Sequence, residues 1–97
     1  MKLNQILDHN DTRALHIVKN DKVLTRVHLR FMPSGVVHAA WPNTEGGWCQ
    51  RSADSVTRCL AGMRIGDVVL GDHGNKEGLP TLDQAAEQHG WLVLRGW

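Results

Sequence analysis

The run "TRVHLRF" places Thr25, Val27, Leu29 and Phe31 on one side of the chain and Arg26, His28 and Arg30 on the other. A period of two marks a strand with one buried face. The strand extends back to Val23, and the β-branched run "ALHIV", Ala14 to Val18, predicts an antiparallel neighbour. Between them Asn20 and Asp21 tolerate the positive φ of a tight hairpin turn. Beyond Phe31, Pro33 presets φ and Gly35 suits the left-handed residue of a three-residue loop. If Met32 then pairs with Val36, Phe31 faces Val37, Leu29 faces Ala39 and Val27 faces Trp41. A two-residue loop would turn Val36, His38 and Ala40 to that face instead. Burial selects the first register, because a slip by one residue reverses every side chain.

A longer period governs the rest. Leu3, Ile6 and Leu7 suggest one or two helical turns, closed by the polar cluster His9 to Thr12. "PNTEGG", Pro42 to Gly47, is a loop. Val56, Cys59, Leu60 and Met63 form an apolar stripe on a helix expected from about Ala53 to Gly62, with Ser52 as N-cap and Asp54 in its first turn. "DVVLG", Asp67 to Gly71, predicts a short buried strand, followed by the polar loop "DHGNKEG". Thr81 and Gln84 fit a capping box ahead of Leu82, Ala85 and Ala86, and Gly90 fits the helix stop. "WLVLRGW" predicts a closing strand. These elements predict an α+β fold: an antiparallel β-meander extended to a four- or five-stranded sheet, with two or three short helices packed on one face. No internal repeat or low-complexity segment interrupts it.

Composition adds bounds. Ninety-seven residues, 41% hydrophobic and 22% charged, fit one compact domain over residues 1–97. A net charge of +1 gives no global attraction to nucleic acid or anionic membrane, so any electrostatic role must come from how charge is arranged. No segment approaches the roughly 20 apolar residues of a membrane span, and the N-terminus lacks the apolar run of a secretory signal, so a soluble, cytoplasmic protein without a membrane partner is expected. Cys49 and Cys59 stand ten apart, unlike the close pairs of zinc or redox motifs, and are expected to be free thiols. Four tryptophans accompany a single phenylalanine and no tyrosine. Trp41 and Trp91 suit the core, and Trp48 and Trp97 are open to either packing or an interface.

The candidate working surface is the sheet face opposite the core. It carries Arg26, His28 and Arg30, with His38 across from Arg30. If the first hairpin closes with Val18 opposite Val23, Arg13 joins the same face opposite His28, with Leu15, Ile17 and Leu24 nearer the turn. Together with Trp48, these residues make a basic and apolar face, the composition of a binding surface in which apolar area supplies affinity and arginine supplies orientation. The competing expectation is a solvated face whose charges keep the sheet soluble.

Other chemistry is weaker. His28 with His38, or Asp72 with His73 in "GDHGN", offers metal-ligand types, but a site needs three or four converging ligands and the spacing predicts no such convergence, so no metal and no cofactor is expected. "GDHG" resembles the metal-bound loops of phosphoesterases, which need several further ligands. His9, His16 and His89 suit caps or surface. Cys49 precedes the expected helix, where Asp54 opposes a thiolate. "GLPTLDQ" lacks the lysine and spacing of a phosphate-binding loop. The order helix, three strands, helix resembles in outline double-stranded RNA-binding domains, but Asp54 stands where their helix grips a phosphate. Small single-domain chains of this kind are similar in style to the inhibitors and accessory proteins of phages and mobile elements, including anti-defence proteins. The expectation is a non-enzymatic protein that binds another protein or protein complex through its basic and apolar sheet face. A nucleic-acid-binding module is the alternative, and a small metal-dependent hydrolase the second alternative.

Overall fold

The alternating positions do build a sheet. A computed structural model describes Leu3, Ile6 and residues 12–97. Strands β1 (Thr12–Lys19), β2 (Lys22–Phe31), β3 (Val37–Pro42), β4 (Trp48–Ala53) and β7 (Leu92–Arg95) form a five-stranded antiparallel sheet in the order β4-β3-β2-β1-β7. Strands β5 (Arg64–Ile65) and β6 (Val68–Val69) form a separate hairpin, and the helices that follow β4 are α1 (Val56–Cys59) and α2 (Leu82–His89). Leu3 and Ile6 are helical; Leu7 and the closing cluster His9 to Asp11 lie outside the described residues.

Both expected hairpins form. Asn20 and Asp21 take φ of 53° and 65°, and Val18 pairs with Val23. At the second turn the Met32 N–H donates to the Val36 carbonyl at 2.8 Å, Gly35 takes φ 94°, and Leu29 faces Ala39 while Phe31 faces Val37.

The first hairpin nevertheless differs from uninterrupted pairing. Ile17 pairs with Thr25 while Val18 pairs with Val23, so Leu24 is an extra residue in β2. This β-bulge reverses the rest of β1 relative to β2. Leu15 and Ile17, expected on the second face, are fully buried in the core, and Arg13 pairs with Leu29, not His28. Magnitudes explain the choice. Burying each aliphatic side chain contributes about 1.5–3 kcal/mol, whereas a disrupted ladder hydrogen bond costs only about 0.5–1.5 kcal/mol.

The core lies between one sheet face and the segments that follow β4. Leu15, Ile17, Val27, Leu29, Val37, Ala39 and Trp41 from the sheet meet Cys59, Leu60, Met63, Ile65, Leu70, Leu82 and Ala85. The expected apolar stripe is thus present, but its helix is only four residues long. The reason is β4: Ser52 and Ala53 are held in the ladder opposite His38 and Val37, so the helix starts after Ser55, whose hydroxyl accepts from the Arg58 N–H at 3.1 Å. Asp54, displaced from the first turn, pairs with Arg58 at 3.0 Å. Val68 and Val69 turn back on Arg64 and Ile65 and never join the main sheet.

The last helix is capped as expected, with the Thr81 and Gln84 capping box and Gly90 left-handed at φ 72°. The loop before it is knitted by Asn75, whose side chain donates to the carbonyls of Asp72 and Leu79 and accepts from the Leu79 N–H. A Cβ on Gly71 would stand 2.6 Å from Asn75 Nδ2 and 2.7 Å from Leu79 Cβ, so only glycine fits there.

The bulge makes a direct prediction. Leu15→Ala should destabilise the protein by about 2–5 kcal/mol in urea unfolding, the cost of a core cavity. A loss below about 0.5 kcal/mol would return Leu15 to a solvated face.

Candidate interface on the second sheet face

The second face is laid out in rows. Leu94, His16 and Arg26 stand side by side across β7, β1 and β2. The next row is Ala14, His28, Ala40 and Gln50, and beyond it lie Thr12, Arg30, His38 and Ser52. Toward the first hairpin turn Leu92, Val18 and Val23 make an aliphatic row. Of the residues proposed from sequence, Arg26, His28, Arg30, His38 and Trp48 share this face. Arg13 does not: the bulge moves it to the core side, in line with Leu15 and Ile17.

One end of the face is covered. Ile6 and Ala40 are buried yet stand outside the core cluster. Ala40 belongs to the second face, and the Thr12 hydroxyl, also on that face, donates to the Ile6 carbonyl. Ile6 therefore sits over the second face at the end that carries Thr12, and Arg30 and His38 in the same row are half-buried. The small Ala14 and Ala40 leave room for such a cover. At the other end Arg26 and Trp48 are exposed, with Trp48 42% accessible and its ring 5.8 Å from that of His28.

Charge is distributed one way. The strand residues of this face include Arg26, Arg30, His16, His28 and His38, and none is Asp or Glu. Burial lowers the pKa of His28, aided by Arg26 and His16, so its imidazole is held neutral below the pH at which a free histidine would take a proton. His38 is likewise lowered, first by burial and also by Arg30, and its Nδ1 lies 2.6 Å from the Ser52 hydroxyl.

The remaining candidate groups have other occupations. Asp72 accepts from the His73 N–H at 2.8 Å and from Arg58 Nε at 3.1 Å, contacts that hold its carboxyl below the usual range. Among the described residues no three His, Cys, Asp or Glu side chains stand together as a metal site would need. Cys49 is half-buried opposite Trp41 on the core side, and Cys59 gives its thiol to the Val37 carbonyl while burial pushes its pKa up. Among the described residues no helix is long and apolar enough to cross a membrane.

Several members of the face were not singled out from sequence. His16 reads as a surface residue until the bulge places it opposite Arg26. Gln50 and Ser52 belong to β4, whose alternation is masked by Arg51 on the core side, where its guanidinium reaches the Ala61 carbonyl at 3.2 Å. Leu92 and Leu94 alternate within "WLVLRGW", but nothing local says which face they take.

The lowered histidine pKa values give a pH prediction. Because His28 and His38 bind protons less readily folded than unfolded, their contribution to stability is present above about pH 6.5 and is lost as pH falls from there through the lowered folded values. Proton NMR should place both imidazole midpoints below 6.5, and Arg26→Ala should raise that of His28 only in part, since burial is its larger cause. Midpoints at or above 6.5 would contradict the packing of this face. No protein-family model, curated protein or solved structure matches this chain.

Proposed function

We propose that this chain is a non-enzymatic binding protein whose second sheet face takes an acidic surface of another protein, as small inhibitors or accessory factors of the phage and mobile-element type do. The observation that carries the proposal is the charge pattern: arginine and histidine stand on the strands of one face with no carboxylate among them. Arg26 and Trp48 supply the residue types that anchor protein interfaces, and Leu92 and Leu94 add apolar area beside them. A second copy stacked on this face would set cation against cation, so the complementary surface is acidic.

One feature favours a second reading. The exposed Trp48 beside His28, with Arg26 on the same face, also suits a single-stranded nucleic acid, whose bases stack on aromatic rings while phosphates meet arginine. The aliphatic row of Val18, Val23 and Leu92 favours protein over that alternative.

The experiment is capture from cell lysate with wild-type protein and an Arg26→Ala, Trp48→Ala double variant, each with and without nuclease. The proposal expects a protein that survives nuclease and binds the double variant about 1,000-fold more weakly, each residue contributing about 2 kcal/mol as an anchor does. Capture that nuclease abolishes, with affinity falling steeply as salt rises, would assign the face to nucleic acid. Equal capture by both proteins would reduce it to a solvated surface.

A further inference from the structure

β7 is the outer strand beside β1, and among the described residues no strand pairs with its free side. The Gly96 N–H donates to the Ala14 carbonyl at 2.9 Å, so the even-numbered residues of this stretch turn their backbone groups toward β1. By the alternation of an antiparallel ladder, Val93 and Arg95 turn theirs outward. No described residue meets those groups. Edge strands are usually blunted by lysine, proline or a bulge. β7 has no lysine, proline or bulge, and its one charge, Arg95, stands at its end, whereas the opposite edge strand carries Gln50, Arg51 and Ser52 at its centre. Its side chains are as open as its backbone: Leu92 is 58% exposed and Leu94 46%.

We infer that this edge is a self-association site, its occupant being β7 of a second copy paired antiparallel about Val93. Only outward-turned residues can exchange bonds, so Val93 meets either Val93 or Arg95 of the second copy; the first register keeps the two arginines apart and sets the Arg95 N–H of each copy against the Trp91 carbonyl of the other. The Trp91 N–H is already bonded to Ala86 at 2.9 Å. On the second face this register sets Leu92 beside Leu94 of the second copy, twice over, and the aliphatic row continues from Val23 and Val18 across the joint. Charge is compatible with this occupant. The single charge of β7, Arg95, is held by Asp83 at 2.8 Å and leaves no surplus to recruit a charged strand. In the centred register it falls beside Trp91 of the second copy, where a cation on an aromatic ring is favourable, and the two arginines lie at opposite ends of the joint. So short an overlap buries less than the roughly 800 Å² per partner of a stable interface, and the dissociation constant should be on the order of 0.1 mM.

This inference does not rest on the proposed partner: it uses the backbone of β7, and Arg26→Ala should leave it unchanged. The test is sedimentation equilibrium of the full chain from about 10 μM to about 1 mM. The weight-average mass should rise from that of one 10.8 kDa chain toward twice that value. Val93→Pro removes an outward N–H without touching the ladder to β1, and Leu94→Lys sets cations across the joint. Each should weaken association at least about tenfold, close to 1.4 kcal/mol. Leu94 is exposed and outside the core, so its variant decides the matter if Val93→Pro fails to fold. A constant single-chain mass at 1 mM, or variants that associate like the wild type, would overturn the inference.

Discussion

Leu24 has no partner in the β1–β2 ladder, and the face taken by every earlier residue of β1 follows from that one insertion. Without it the hairpin would turn His16 toward the core, with Arg13, Leu15 and Ile17 left facing out. With it, two aliphatic side chains enter the core and His16 comes to stand beside Arg26. The same local disruption therefore completes the hydrophobic core and assembles part of the charged face. Sheet proteins commonly place bulges where a side chain has to be re-aimed.

The two faces are closed by different means. On the core side very little regular structure is available: a four-residue helix, a short hairpin and an eight-residue helix. Side-chain hydrogen bonds take over where the backbone has no ladder. Asn75 bridges the loop ahead of α2, Arg58 ties Asp54 to Asp72, and Arg51 reaches the carbonyl of Ala61. Among the described residues no buried side-chain nitrogen or oxygen lacks a partner. Each of these contacts secures the connection that lets Leu60, Met63, Leu70 and Leu82 converge beneath the sheet.

The second face is held apart from solvent at one end and open at the other. Alanine at positions 14 and 40 admits Ile6 over the covered end, and the larger Arg26 and Trp48 project at the open end. Partial burial among like charges keeps His28 and His38 in their neutral form near pH 7, so the fixed positive charge of this face there comes from its arginines. That arrangement makes positive potential local to this face, in a chain whose net charge is only +1.

Local chemistry was legible in the sequence wherever one residue type answers one backbone requirement. Asn20 and Asp21 in their turn, Gly35 closing the second hairpin, the Thr81 and Gln84 capping box and Gly90 all stand as their types demand. So does the register of β2 on β3, because its alternation admits only one buried face. Of the site, Arg26, His28, Arg30 and His38 could be placed together for the same reason. What the tertiary structure decided are the competitions between elements. Ser52 and Ala53 suit a helix start, but the ladder with β3 claims them first. Val68 and Val69 suit a buried strand, but the nearby Arg64 and Ile65 pair with them. Arg13 lost its place on the second sheet face to a bulge that no local signal announces. The physical reason is common to all three: a short segment has several nearly equal local choices, and the burial that separates them exists only once distant parts of the chain have met.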